Sequence, residues 1–527
     1  MEETGSARAG GVKFRVLVVA TIGAGIVFLD TSVASVALPA IQRDLGLTTS
    51  LLQWVASAYL LTLSILLLAG GRLADIFGRR RMFLSGLALY ALLAAAAGLS
   101  PNGAVLIAVR ALQGAAGAVL VPTTLALINA TYPPEERGAA IGAWAGWSGI
   151  ATVLGQVLGG VVITYVLWRY AFLISPALAV VTLLLARAIP ESRDEQAEKV
   201  LDGTGILLCC LGLGGPVFAL IEGPIAGWDS MSVLAGLALG VVLVPAFVWW
   251  ESRAAHPMLP FAMFESRDLR AANVVTLFVY AGLYGTFFYV NLYVQTALGQ
   301  TALIASTLFI PVTAILFVLS PLAGRLNDRY GPRWLLCFGP LTSAAGLVVA
   351  SLTGPGQLLS VLTPGIVIMA IGLGFTVAPV TATAIGAAEE RYSGVASGFN
   401  NAVARVAGLL AIAAMGVIVV QLWQGAVASA GAAVPVARPA LAAVSQKVFV
   451  APDTSGMPAA LSAEVKRLAL EAARRSYRDG MLLAAFLVAC GGVVSAAFIR
   501  GTGRGAAAEV APAGAAGGYS GSDQAAK

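Results

Sequence analysis

Charge is what this sequence has least of. Only 11% of its 527 residues are charged and 58% are hydrophobic, which excludes an ordinary soluble globular chain. Histidine is almost missing: the single His256 precedes Pro257 in a loop and reads as solvated, so no histidine-based metal centre is expected. The four cysteines, Cys209, Cys210, Cys337 and Cys490, lie in apolar runs without a C-x-x-C pair. They read as small core residues, neither disulfides nor metal ligands. No G-x-x-x-x-G-K-[ST], H-E-x-x-H or G-x-S-x-G pattern occurs, so the chain is not expected to be an enzyme or to carry a cofactor. A cleavable signal peptide is not expected either, because the first apolar run, residues 16–38, is too long and lacks a small-residue cleavage site.

What the sequence does have is hydrophobic length. A membrane-spanning helix needs about 20 apolar residues. By that measure fourteen segments qualify, near 15–39, 51–70, 82–100, 104–129, 139–165, 169–189, 203–222, 231–250, 271–297, 302–323, 334–353, 359–385, 394–421 and 480–499. The expected class is an all-α, multi-pass membrane protein whose surface partner is the lipid bilayer. Basic residues fall on alternate connections: Arg72, Arg79, Arg80, Arg81, Arg137, Arg187, Arg193, Lys199, Arg253, Arg267, Arg270, Arg325, Arg329, Arg333 and Arg391 share one side. The short loops opposite hold only Arg43 and Arg169. That asymmetry places the basic side, and both termini, in the cytoplasm. It also accounts for the net charge of +6 without any nucleic acid. Segment 422–478 breaks the pattern, with Lys466, Arg467, Arg474, Arg475 and Arg478 on the outer side. Leu461, Val465, Leu468 and Ala472 recur there at helical spacing, which suggests an amphipathic surface helix, with a partly ordered loop as the plainer alternative. The tail after Arg504, rich in Ala, Gly and Ser, is expected to be disordered.

The chain repeats itself. Gly71-Arg72-Leu73-Ala74-Asp75-Ile76-Phe77-Gly78-Arg79-Arg80 returns as Gly324-Arg325-Leu326-Asn327-Asp328-Arg329-Tyr330-Gly331-Pro332-Arg333, with Gly, Arg, Leu, Asp, Gly and Arg in register. Pro122-Thr123-Thr124 and Glu135-Glu136-Arg137-Gly138 are echoed by Pro379-Val380-Thr381 and Glu389-Glu390-Arg391. Spans one to six therefore match spans nine to fourteen, and spans seven and eight are an inserted pair. The domain plan is a tail (1–14), a six-helix bundle (15–189), a linker with the inserted pair (190–250), a second bundle (251–500, including the outer loop 422–478) and a tail (501–527).

The basic loop resembles the signature between the second and third helices of the major facilitator superfamily. The six-plus-two-plus-six plan is similar to the fourteen-helix drug:proton antiporter branch. That resemblance implies two six-helix bundles with a substrate site near the midplane between them. It implies a proton as coupling ion, a small-molecule substrate, the plasma membrane as location and function as a monomer. It also implies a conformational latch of Gly71, Asp75, Gly78 and Arg79, with Asp75 pairing Arg79 and meeting a helix start in the other half. Asp328 is the weaker echo, since Pro332 stands where Arg79 does.

Ionisable groups inside spans are few, so each is a functional candidate. Asp30 lies in Phe28-Leu29-Asp30-Thr31-Ser32, similar to the first-helix motif of that branch, roughly 12–15 Å below the outer end at ~1.5 Å per residue. Removal from water favours its protonated form, which would let it trade a proton for a substrate; a permanent structural ion pair is the plainer alternative. Arg110 opens Arg110-Ala111-Leu112-Gln113-Gly114, similar to the fourth-helix motif, at nearly the same depth. It is the expected partner of Asp30 in proton coupling, with packing as the alternative. The expected cavity residues are Tyr59, Gln113, Tyr280, Tyr284, Asn291, Asn400 and Arg405. Tyr280, Tyr284, Phe287 and Asn291 form one helix face suited to flat lipophilic or cationic compounds, although such stripes also serve packing. Arg405 either meets the substrate or is tied to backbone carbonyls or Asn400. Tyr289 and Tyr293 read as interfacial anchors. In the fifth span Gly155 and Gly159 make a G-x-x-x-G face. Gln156 stands before Gly159 and Gly160 where the antiporter motif carries proline, so the proline kink should be missing.

Three functions fit these features: a proton-driven exporter of lipophilic or cationic drugs by alternating access, a dedicated exporter of an endogenous metabolite or self-made antibiotic, and a non-transporting sensor or assembly factor on a transporter fold.

Overall fold

Hydrocarbon offers no hydrogen-bond partners, so apolar runs of this length fold as helices that satisfy their own amides. The computed structural model describes residues 2–187, 189–193, 202–254, 257, 259–389 and 393–500, excluding the side chains of residues 2–10, 68, 134, 135, 138, 139, 145, 328, 393 and 394. His256, Glu390, Arg391, the side chain of Asp328 and the tail 501–527 thus lie outside the described residues.

Among the described residues, 14 helices are long and apolar enough to cross a membrane. The first group is α1 (Gly11–Leu45), α2 (Thr49–Leu67), α3 (Arg79–Gly98), α4 (Gly103–Thr131), α5 (Ala140–Tyr165) and α6 (Trp168–Ala186). Next come α7 (Gly203–Ala226) and α8 (Met231–Glu251). The last group is α9 (Arg267–Ala297), α10 (Ala302–Asn327), α11 (Pro332–Ser351), α12 (Leu358–Gly386), α13 (Val395–Ala433) and α14 (Ala459–Phe498). Close packing follows one plan in both six-helix groups. α2 lies on α4, α1 on α5, α3 on α4 and on α6; correspondingly α10 lies on α12, α9 on α13, α11 on α12 and on α14. α8 packs chiefly on α7, and α7 reaches α2 and α13.

The basic turns gather at one end of the molecule, here the basic end; the other is the far end. Gly78 and Gly331 hold the equivalent turns with φ of +103° and +78°, a conformation closed to most side chains. Three arginines start α3, which disfavours a helix N-terminus. Glu191, just past α6, compensates: its carboxylate accepts the Arg80 and Arg81 amides at 2.9 and 3.1 Å.

Two expectations need correction at the far end. The connection expected over 422–478 is shorter, because α13 continues to Ala433 and α14 starts at Ala459. Gln421, Gln424 and the Ala- and Gly-rich run lower hydropathy without breaking the helix. The amphipathic stretch is no separate surface helix; it is the first half of α14. At ~1.5 Å per residue that 40-residue helix is about 60 Å long, twice a hydrocarbon core. Its protruding part buries Val465, Ala469 and Ala472 and exposes Arg467, paired with Glu464 and Glu471. Tyr289 and Tyr293 are not lipid anchors but fully packed. Tyr293 stacks on Tyr477 at 4.0 Å, and Phe449 meets both rings edge-on.

Hydrogen bonds between the two six-helix groups cluster toward the far end. Gln53 of α2 donates to the Tyr289 hydroxyl and the Ile412 carbonyl, both at 3.2 Å, in space left by Gly416. Gln295 donates to Val36 (3.1 Å), Leu303 to Thr164 (3.0 Å), and Val448 to Thr49 (2.8 Å). The molecule is therefore closed at its far end.

α5 runs unbroken past Gln156, as the missing proline requires, and its glycine face lies against α1. A Cβ at Gly155 would sit 2.5 Å from the Leu29 carbonyl oxygen, and one at Gly159 3.2 Å from Val33. Gly155→Leu should accordingly force α1 and α5 apart, costing about 1–3 kcal/mol. A clear fall in the midpoint of thermal unfolding in detergent micelles is expected, whereas Gly142→Leu, with open space around it, should leave the midpoint unchanged.

Candidate functional site

The centre of the first bundle is built by close approach of α2 and α4. Gly114 admits the Tyr59 carbonyl and Thr62 hydroxyl, and Thr62 donates to the Ala111 carbonyl at 2.7 Å. Arg110, one turn from Gly114, is thereby held across the bundle toward α1. Its Nη1 donates to Asp30 Oδ2 at 2.7 Å and to Gln113 Oε1 at 2.8 Å, and its Nε donates to the Val55 carbonyl at 3.4 Å. Ser175 of α6 donates to the other Asp30 oxygen at 3.3 Å. The Tyr59 ring lies 4.1 Å from the guanidinium carbon. Its hydroxyl shares a hydrogen bond with Tyr90 at 3.2 Å and accepts one from Thr31 at 3.3 Å.

Asp30 and Arg110 are each 1% exposed, so neither has water to turn to. Such a pair owes its persistence to geometry, because desolvation offsets much of the Coulomb attraction. Removing one partner leaves a bare charge and is far worse than removing both.

Beside the pair, at the junction of the two six-helix groups, lies a cavity of about 210 Å³. The first group contributes Phe28, Thr31, Tyr59, Arg110, Thr152 and Gln156; the second contributes Tyr280, Tyr284, Phe287, Phe288 and Ile412. Arg110 faces this space, and Asp30 stands behind it. Of the expected cavity residues, Tyr59, Tyr280 and Tyr284 line it and four do not. Gln113 is turned to Arg110, Asn291 donates to Phe287 in its own helix (2.9 Å), and Asn400 is held by Asn273 and Thr276 at 3.2 and 2.8 Å. Arg405 is not a lining residue either; its guanidinium carbon lies 5.6 Å from the ring of Phe28, which is. Asn291 stays on the same face, about 20° round from Tyr280, but roughly 16 Å further along α9 toward the closed far end, beyond the cavity.

The latch residues form their local part. Asp75 accepts from Arg79 Nη2 at 2.9 Å across the Gly78 turn. Among the described residues no hydrogen bond or ion pair joins Asp75 to the second group. Gly71 packs on Pro122. Gly160 faces Ser306 of α10, and Gln156 turns its amide to the cavity. Ser175, Tyr90 and Gln53 carried no signal in sequence, since a lone hydroxyl or amide in an apolar run looks the same whether or not it meets a charge.

The described residues contain no group of three or more His, Cys, Asp or Glu able to hold a metal. What the arrangement offers is a buried carboxylate, a cation that faces a cavity, and aromatic walls from both halves.

A family model described as Major Facilitator Superfamily matches residues 20–412. The chain is 33% identical over 403 residues to the tetracenomycin C resistance and export protein of Streptomyces glaucescens, covering 76% of this chain and 75% of that one. It is 32% identical over 402 residues to the multidrug resistance protein Stp of Mycobacterium tuberculosis, covering 76% and 74%. In fold it resembles the crystal structure of a bacterial homologue of the human lysosomal transporter Spinster, inward-facing and unoccupied. The TM-score is 0.65 at 16% identity, over 92% of this chain and 98% of that one.

Arg110→Ala should lower stability by about 3–5 kcal/mol, the usual cost of leaving a buried charge unpaired. Asp30→Asn combined with Arg110→Gln should lose clearly less than the sum of the single changes in denaturant unfolding. Strict additivity would show that the two groups do not interact.

Proposed function

The chain belongs to the Major Facilitator Superfamily, and from that premise we propose that it is a proton-coupled efflux transporter of flat, lipophilic small molecules. Its family and fold are those of transporters, not enzymes, and its relatives are named for antibiotic resistance and export. The single observation that carries the coupling is the Asp30–Arg110 pair: buried, 2.7 Å apart, with only the cation facing the cavity.

A proton on Asp30 would cancel the carboxylate and leave Arg110 without its partner. The freed guanidinium would turn to the cavity it already lines. A space of about 210 Å³ is smaller than the ~300–1,000 Å³ of drug-sized sites, so an entering charge and its water compete with a lipophilic substrate. Proton and substrate are then bound in alternation, and the two six-helix groups rock about the site. Separation of the far-end contacts of Gln53, Thr49, Gln295 and Thr164 opens the opposite side. By the positive-inside rule the basic end is cytoplasmic, as are both termini, in a plasma-membrane protein working as a monomer.

A second reading, a dedicated exporter of one compound, is supported by the tetracenomycin relative, which is named for a single antibiotic; Stp, named for many drugs, supports breadth. Competition among unrelated compounds for transport separates the two.

Purified protein in proteoliposomes should move a lipophilic dye when a pH gradient is imposed, and a protonophore should stop it. Asp30→Asn should bring gradient-driven flux to the level of empty liposomes while the variant stays folded. Full gradient-driven flux in that variant would remove Asp30 from the coupling; no flux in the native protein would favour a sensor or assembly role.

A further inference from the structure

The cavity holds an imbalance of charge. Its one nearby carboxylate, Asp30, is taken by Arg110. None of the residues lining the cavity is Asp or Glu. Yet the second group brings a further cation, Arg405, only 8% exposed. Among the described residues Arg405 has no hydrogen bond and no ion pair; its contact is the face of Phe28 across the junction. Asn400, the neighbour that could have held it, is committed to Asn273 and Thr276.

Position ties this cation to the cavity. Arg405, Gly408 and Ile412 follow one another at three and four residues and so share a face of α13. Ile412 lines the cavity, and Gly408 lies under the Tyr284 ring, where a Cβ would be 2.6 Å from the ring carbons. Arg405 is the next turn on that face toward the basic end. A guanidinium buried at this depth without a counter-group is unfavourable, and such groups face a cavity or a ligand. Five N–H donors in a planar fork suit oxygen acceptors.

We infer that Arg405 is a specificity-determining residue: the transported compound is a planar aromatic that presents an oxygen acceptor, a carbonyl, phenolic or carboxyl oxygen, to its guanidinium. Cations are excluded by the same charge. The inference rests on the reading of this cavity as the substrate site of an exporter and narrows it, setting aside the cationic class. Phe28, Tyr280 and Tyr284 supply the flat walls, and the Gln156 amide, which has no hydrogen bond among the described residues, supplies a neutral polar group in the same wall.

One ring system with one varied substituent tests this. The probes are anthracene-2-carboxamide, anthracene-2-carboxylate, anthracen-2-ylmethylammonium and 2-ethylanthracene, titrated onto the full chain in lipid nanodiscs, with empty nanodiscs subtracted. The amide, the carboxylate or both should bind at least about tenfold more tightly than the ammonium and ethyl compounds, and their order separates neutral from anionic acceptors. Arg405→Gln should erase that preference, bringing the amide and the carboxylate to the level of ethylanthracene in the same variant; Arg405→Lys should keep part of it for the carboxylate. Should Arg405→Gln not fold, the native order of binding and the Lys variant decide.

Equal binding of all four, tightest binding of the ammonium compound, an unchanged preference in Arg405→Gln, or no binding at all overturns the inference. The pH-gradient flux assay stands apart. Gradient-driven transport with the wrong order of binding rejects this role of Arg405 alone, whereas the right order without any flux rejects export instead.

Discussion

A carboxylate and a guanidinium 2.7 Å apart, both sealed from water, are the constraint around which this protein is arranged. Neither charge tolerates that depth alone, so α1, α4 and α6 are bound to bring their contributions to one point. Small residues make this possible: Gly155 and Gly159 admit α1 to α5, and Gly114 admits α2 to α4. Tyr59 and Phe172 add cation–π attraction, and with Tyr90 they keep solvent out.

The second six-helix group repeats the packing plan but not the chemistry. Where the first group holds a paired charge, the second holds Arg405, which has no hydrogen bond or ion pair among the described residues, and the tyrosine face of α9. This asymmetry makes the two halves different: one keeps the buried ion pair, the other supplies much of the cavity wall. The polar bonds recorded between them cluster toward the far end, through Gln53, Gln295, Thr164 and Thr49. Each is a neutral hydrogen bond worth about 0.5–1.5 kcal/mol net, so the closure can be undone without breaking an ion pair.

Much of this was legible in the sequence, for definite reasons. Hydrophobic length and the distribution of arginines give the spans, and the repeated Gly71 and Gly324 turns give the internal repeat. Rare charges inside spans single out Asp30 and Arg110, because a membrane makes every such charge conspicuous. Where the reading failed, the cause was geometric. Tyr289 and Tyr293 look like interfacial aromatics, but α14 extends beyond the bilayer and covers Tyr293 with Tyr477. Asn400 and Gln113 sit at plausible depth, but Asn400 spends its amide on Asn273 and Thr276, and Gln113 gives its carbonyl oxygen to Arg110. Depth follows from counting residues; the direction in which a side chain points depends on helix rotation, which no count supplies. Hydroxyl and amide partners such as Ser175, Tyr90 and Gln53 were illegible for the same reason.

The central claim is that Asp30 changes its protonation when the cavity is occupied. Infrared difference spectroscopy of the protein in lipid, with and without a bound transported compound, reads this directly through the C=O stretch of a protonated carboxyl. The account predicts a band that changes on binding in the native protein and is missing from the spectra of Asp30→Asn. A native spectrum that shows binding but no change in that region, or the same change in the variant, would contradict it.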